Sequence, residues 1–138
     1  MNEWEERNRR VIEEFRASRD KIGGPLEGRP MLLLTHTGRR SGRRRTTPLV
    51  YLEDDGRVYV VGSKGGAPTH PDWYDNLVAN PRVTVEIGTE EYEADAKVVT
   101  GPERDRLYAK LVDRMPFFGD YQKKTTRVIP VVELVRAG

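Results

Sequence analysis

Thr46-Thr47-Pro48-Leu49-Val50-Tyr51-Leu52-Glu53-Asp54-Asp55-Gly56-Arg57-Val58-Tyr59-Val60-Val61 contains two β-rich runs, Thr46 to Leu52 and Arg57 to Val61, on either side of an acidic turn. Its Asp-Gly pair supplies the backbone freedom that a tight hairpin needs, so the stretch predicts two adjacent antiparallel strands. Downstream, Arg82 to Ile87 alternates polar with β-branched residues, Gly88-Thr89 turns the chain, and Glu91 to Thr100 continues the alternation. Upstream, Met31 to Thr37 is short, apolar and partly β-branched, and reads as a buried strand. Val128 to Val135 closes the series, with Pro130 suggesting an edge or bulged position because proline cannot donate to a ladder.

Helical segments separate these strands. Between residues 3 and 22, Trp4, Val11, Ile12, Phe15 and Ile22 recur at spacings that share one helical face, and Gly23-Gly24-Pro25 ends the run. A second helix spans about Pro71 to Asn80, with Asn80-Pro81 as its stop. A third opens at Pro102 and runs to about Met115, with Leu107, Leu111 and Val112 spaced to bury one face. Pro116 to Thr126 reads as a loop containing Phe117, Phe118 and Tyr121. The fold class that follows is α+β: a small barrel of about six mainly antiparallel strands with two or three helices. Residues 1–29 form an N-terminal amphipathic helix and linker, and residues 30–138 the barrel, within a single domain overall.

Composition narrows the chemistry. With no cysteine among 138 residues, disulfides, thiolate nucleophiles and cysteine-based metal sites are excluded. Two histidines, His36 and His70, cannot by themselves make a three-ligand catalytic metal centre. No apolar run approaches the ~20 residues of a transmembrane helix and no signal-peptide pattern opens the chain, so the expected location is cytoplasmic. Up to Arg29, seven basic and seven acidic residues cancel. That balance favours a helix packed on the barrel or a partner over a peripheral membrane contact.

Five of the seven residues from Arg39 to Arg45 are arginine, separated only by Ser41 and Gly42. Planar guanidinium forks pair with phosphate or carboxylate, and flanking glycines let backbone amides approach the same anion. Anion binding competes here with a solvated basic loop. The second glycine-rich stretch, Val61-Gly62-Ser63-Lys64-Gly65-Gly66-Ala67, offers amides, a hydroxyl and an ammonium but matches neither a P-loop nor a dinucleotide-fold fingerprint. Just beyond it, Trp73 and Tyr74 suit either the wall of a ring-binding cleft or the core, and Asn76 can hydrogen-bond a polar ring edge. Binding of nucleic acid through the arginine loop is disfavoured by the near-neutral remainder of the chain.

Three motifs in this order, Thr37-Gly38-Arg39-Arg40-Ser41-Gly42-Arg43-Arg44-Arg45-Thr46-Thr47-Pro48-Leu49, Val61 to Ala67, and His70 to Val83, resemble those of the deazaflavin-dependent nitroreductases, including the F420-dependent quinone reductases. A later pattern from Asp120 to Pro130 extends the likeness over Leu32 to Val135. The resemblance implies a split β-barrel related to flavin mononucleotide (FMN) oxidases, with reduced coenzyme F420 as hydride donor to a small-molecule acceptor: a quinone, a nitro compound or an activated enone. It puts the cofactor's phosphate and acidic tail near Arg39, Arg40, Ser41 and Arg45, joined by Lys64. It similarly places Thr46, Thr47, Val61, Gly62, Ser63, Lys64, Asp72, Trp73, Tyr74, Asp75 and Asn76 around the deazaflavin and its polyol chain. Tyr121 would face the substrate; after hydride transfer the proton comes from its phenol or from water, and packing is the residue's other reading. Val50 stands where some relatives carry an aromatic substrate contact. An FMN-binding reductase on the same barrel and a noncatalytic F420 carrier are the alternatives.

Overall fold

A computed structural model describes residues 3–18 and 30–137. The elements are α1 (Glu3–Ser18), β1 (Met31–Thr37), β2 (Arg44–Asp54), β3 (Arg57–Val61), α2 (Asp72–Ala79), β4 (Arg82–Ile87), β5 (Glu90–Val99), α3 (Gly101–Arg114), α4 (Phe117–Lys123) and β6 (Val131–Arg136). The strands close into an antiparallel barrel in the order β1-β2-β3-β6-β5-β4. The Asp-Gly hairpin forms as the sequence predicts. Asp54 pairs with Arg57, and the two residues between them, Asp55 at φ 54° and Gly56 at φ 78°, both take the left-handed conformation. That conformation matches the twist of the flanking strands.

Closure gives each strand an inner and an outer face, and the chain fills both. Inside, Leu32, Leu34, Val60, Val83, Val85, Ala94, Val132 and Leu134 pack with Trp73 and Leu77 of α2. A small barrel has room for side chains and little else, and β-branched or small residues at alternate positions meet that limit. On one outer face Leu52, Tyr59, Val61 and Val131 are covered by Leu107, Tyr108 and Leu111 of α3 and Phe118 of α4. The Tyr108 hydroxyl donates to the Phe118 carbonyl at 2.6 Å and ties these helices together. On another outer face Phe15 of α1 covers Met31 and Leu33. Beside it, Arg16 makes a two-pronged contact with the buried Glu86 carboxylate at 3.2 and 2.8 Å, which satisfies a charge that burial alone would make costly.

Three sequence expectations need correction. β2 begins at Arg44, two residues before Thr46, because Thr37 and His36 pair with Arg44 and Arg45. The ladder of β1 thus extends into the arginine cluster. The segment read as a loop between Pro116 and Thr126 contains α4, giving four α-helices among the described residues where two or three were expected; its apolar residues are crowded at Phe117, Phe118 and Tyr121, too short a run for periodicity to register. Pro130 is not on an edge: it precedes β6, which is paired on one side with β3 and on the other with β5. Its carbonyl accepts from the Gly62 amide at 2.9 Å, so proline ends the loop where no donor is needed. The expected continuation of the first helix to residue 22 and its Gly23-Gly24-Pro25 stop lie outside the described residues.

Phe15 is fully buried against β1, so Phe15→Ala should lower unfolding stability by about 3–5 kcal/mol through lost burial and a residual cavity. Urea unfolding monitored by circular dichroism measures it; a loss below about 1 kcal/mol would mean α1 contributes little to the folded barrel.

Candidate functional site

The arginine turn is shaped by its own short hydrogen bonds. Gly38 N–H donates to Arg43 O at 2.8 Å and Gly42 N–H to Gly38 O at 2.9 Å, while Ser41 Oγ accepts from the Arg43 amide at 3.2 Å. A Cβ on Gly38 would sit 2.5 Å from Ser41 Oγ, so a side chain there would push that hydroxyl away from the Arg43 amide. The side chains of Arg39, Arg40, Arg43, Arg44 and Arg45 stay exposed. Elsewhere, Arg9, Arg16, Arg57, Arg82, Arg104, Arg106 and Arg136 each pair with a carboxylate. Among the described residues, no salt bridge involves the five arginines of the turn.

From this turn a chain of hydrogen bonds runs into the barrel. The Arg39 amide donates to Asn76 Oδ1 at 3.0 Å, Asn76 Nδ2 lies 3.1 Å from His36 Nδ1, and His36 Nε2 lies 3.0 Å from Thr47 Oγ1. His36 and Asn76 are buried. Burial, reinforced by the positive charges of Arg45 and Arg44, lowers the His36 pKa to about 4, so the ring is neutral at ordinary pH. Thr46, the next residue along β2, faces the opposite side of the strand and shares a hydrogen bond with Thr35 at 2.8 Å. The two threonines therefore serve different surfaces.

The glycine loop leaves β3 at Val61 and is held by an arginine from far along the chain. Arg127 donates to the carbonyls of Gly62 at 3.0 Å, Ser63 at 2.8 Å and Ala67 at 2.9 Å, and its Nη1 lies 2.9 Å from His70 Nδ1. With those carbonyls drawn to one side, Ser63 (φ −73°, ψ −39°) and Lys64 (φ 47°) form a right-handed then left-handed pair. This geometry turns successive N–H groups together into an anion-accepting nest. Lys64 is exposed, its Nζ 3.3 Å from Thr69 Oγ1. A Cβ on Gly62 would meet Pro130 Cγ at 2.8 Å, and one on Gly66 would meet the Tyr121 carbonyl at 2.8 Å. The loop thus lies close against both β6's approach and α4.

Of the residues singled out in the sequence, Arg39 and Asn76 are in direct contact and Thr47 joins them through His36. Trp73 packs in the barrel interior, whereas Tyr74 is half-buried with its ring 4.7 Å from that of His70. Asp72 is exposed at the start of α2, and Asp75 is half-buried. Tyr121 packs edge-on against Phe117 and Phe118 at 5.5 and 5.6 Å. Sequence reasoning passed over two residues. His36 shares the parity of Leu32 and Leu34, but Met31 to Leu34 are all apolar, so the sequence alone did not show which parity faces the barrel interior. Arg127 stood in the Asp120 to Pro130 pattern but without a role, since its partners lie about 60 residues away.

No cluster of three or more potential metal ligands exists among the described residues, and none of their helices is long and apolar enough to cross a membrane.

The buried neutral imidazole makes stability depend on pH. His36 has a folded pKa of about 4, below its unfolded value, so the unfolded chain takes up the proton first. The cost is absent above about pH 6.5 and grows as pH falls towards 4. Between pH 7 and pH 5 the wild type should lose roughly 2 kcal/mol through this group alone. A His36→Gln variant should lack that increment in parallel urea titrations, and an equal pH response in both proteins would mean the imidazole is not buried neutral.

Comparison with known proteins agrees with this architecture. Residues 7–136 match the family model for F420H(2)-dependent quinone reductase. An F420H(2)-dependent quinone reductase of Mycobacterium tuberculosis is 38% identical over 128 residues, covering 88% of this chain and 85% of that protein. Among solved structures, an F420-H2 dependent reductase, FDR-A, superposes with a TM-score of 0.70 at 41% identity, covering 77% of this chain and 94% of that one. A protein described as a pyridoxamine 5'-phosphate oxidase from Listeria innocua shares the fold at 13% identity, with a TM-score of 0.56 and coverage of 99% and 95%. A split barrel related to the flavin-oxidase fold, matched along nearly its whole length by one family model, makes this chain a member of the F420H(2)-dependent quinone reductase family.

Proposed function

We propose that the chain holds reduced coenzyme F420 at the arginine turn, the glycine loop and the start of α2, and passes its hydride to a quinone, with nitro compounds and activated enones as further acceptors. The observation that carries the placement is the carboxylate-free cluster of five arginines. Exposed like charges held in one turn repel one another, and an incoming anion relieves that repulsion. The donor set fits such a group. Arg39, Arg40, Ser41 and Arg45, with Lys64, would take its phosphate and acidic tail, and the nest at Ser63 and Lys64 would add backbone N–H groups. Thr46, Thr47, Val61, Gly62, Asp72, Tyr74, Asp75 and Asn76 would border its ring and polyol, with Trp73 supporting them from the core.

Bound there in its reduced form, the cofactor supplies the hydride. The protein's own work is to orient donor and acceptor, exclude water and place one proton donor. Tyr121 takes the last role in this reading. Its half-buried ring is braced by Phe117 and Phe118, which confines a phenol at the loop that Gly66 brings against α4.

Calorimetric titration of the apoprotein should give tighter binding of coenzyme F420 than of FMN. Arg45→Ala or Arg40→Ala should weaken F420 binding about tenfold to a hundredfold, the effect of losing one charge-assisted contact. Equal or tighter binding of FMN would move the chain's cofactor assignment to the flavin. Turnover with quinones separates a reductase from a carrier that binds without reacting.

For the proton donor, Tyr121→Phe should slow product formation in single turnovers about tenfold or more while leaving F420 affinity nearly unchanged. If Tyr121→Phe behaves as wild type and only Tyr121→Ala raises the acceptor KM, the ring packs and the proton comes from water.

A further inference from the structure

The hydrogen bonds around His36 have a determined direction. The Arg39 backbone N–H can only donate, so the Asn76 atom 3.0 Å from it is the carbonyl oxygen. That leaves the Asn76 amide NH2 facing His36 Nδ1 at 3.1 Å, and an NH2 group can only donate. Nδ1 must therefore accept, which puts the single proton of the neutral ring on Nε2. Nε2–H in turn donates to Thr47 Oγ1 at 3.0 Å. The Thr47 oxygen is thereby used as an acceptor, and its own proton is left to be given away. Thr47 is half-exposed on the inner-face side of β2, where Arg45 is its next neighbour of like parity.

We propose that His36 is a positioning residue that, held in its Nε2–H form by Asn76 and the Arg39 amide, keeps the Thr47 hydroxyl aimed as a hydrogen-bond donor to an acceptor atom of the bound deazaflavin. The inference rests on the cofactor placement given above. It assigns a task to a histidine that this placement leaves out, and it links two parts of the site. The backbone of the arginine turn sets the Asn76 amide, the amide sets the tautomer, and the tautomer sets the hydroxyl. A threonine hydroxyl without such a partner rotates between donating and accepting. One whose lone pair is already engaged favours a ligand that presents a carbonyl oxygen or an anionic ring atom over one that presents an N–H. A buried imidazole that merely fills space would have no reason to act through Thr47.

Two measurements test the relay. In the cofactor-free wild type, nitrogen-15 NMR of the histidine rings should show His36 as the Nε2–H tautomer; an Nδ1–H tautomer would overturn the proposal whatever the protein binds. The second is a double-mutant cycle read as the Kd of oxidised coenzyme F420 by fluorescence. Thr47→Val should raise Kd about three- to tenfold, the effect of one neutral hydrogen bond. His36→Leu should raise it similarly, yet add little in the Thr47→Val background because it acts through the hydroxyl. His36→Gln, whose amide NH2 can stand in for Nε2–H, should restore most of the affinity lost in His36→Leu. Full additivity of the His36 and Thr47 changes would overturn the relay while leaving the cofactor site standing. An unchanged Kd for Thr47→Val, in a protein that binds F420, would remove Thr47 from the site and the relay with it. Failure of the wild type to bind F420 would overturn the placement itself.

Discussion

The barrel that carries the candidate site is closed by β6, which enters between β3 and β5 and pairs with both. Five strands in chain order would leave β3 and β5 with unpaired ladder edges, and such edges invite aggregation. The last strand removes both at once. Its approach also explains the loops nearby: Gly62 donates to the Pro130 carbonyl, and Arg127, three residues earlier, gathers the carbonyls of Gly62, Ser63 and Ala67. The same segment that seals the sheet therefore sets the backbone direction of the glycine loop. Loss of the C-terminal strand would cost the fold its closure and the loop its nest together.

A closed barrel this small has no spare interior, so the site is built at the ends and outer surfaces of the strands. Alternation along β2 shows the consequence. Leu49 and Tyr51 pack against the barrel interior, Val50 and Leu52 belong to outer clusters, and beyond Pro48 the same alternation presents Thr47 to the interior side and Thr46 to the other. At Arg45 and Arg44 the ladder continues although apolar partners have ended, and the two guanidinium groups leave on opposite faces. A regular strand thus delivers charges to fixed directions, which a flexible loop of the same composition would not do.

Much of this was legible because the governing signals are local. The Asp55-Gly56 turn, the two hairpins, the short apolar run of β1 and the alternation in β4 and β5 each depend on residues within a few positions, and their strands form nearly where the pattern puts them. The arginine turn was legible as charge, and its ordered company with the second glycine loop and the His70 to Val83 motif pointed to the family. What escaped was set by distant partners. α4 owes its place to packing on α3 through Tyr108 and Phe118, not to periodicity. β2 reaches back to Arg44 because β1 offers unpaired backbone there. The neutrality of His36 requires burial beside Arg44 and Arg45, and the use of Arg127 requires a loop about 60 residues upstream. Arg44 and Arg45 are near His36 in sequence, but Asn76, which helps bury it, is 40 residues away, and the loop that Arg127 holds is farther still.

The two sides of the proposed site are held by different kinds of force, and this bears on selectivity. On the cofactor side, backbone groups direct the polar atoms: the Arg39 amide orients Asn76, and three loop carbonyls anchor Arg127. Hydrogen bonds of this kind are directional and lose much of their strength with small displacements, so they suit a group whose ring edge and charge must be read in one pose. Around Tyr121 the neighbours are Phe117 and Phe118, whose contacts vary weakly with angle and adapt by ring rotation. An apolar wall discriminates by only about 1–3 kcal/mol per methylene, whereas a buried hydrogen-bonding site rejects a ligand that leaves its groups unpaired far more strongly. A protein built this way should be strict about the hydride donor and permissive about the planar molecule that receives the hydride. The physical division lies between β2 with α2, where orientation is imposed by the backbone, and the aromatic surface of α4, where it is imposed mainly by shape.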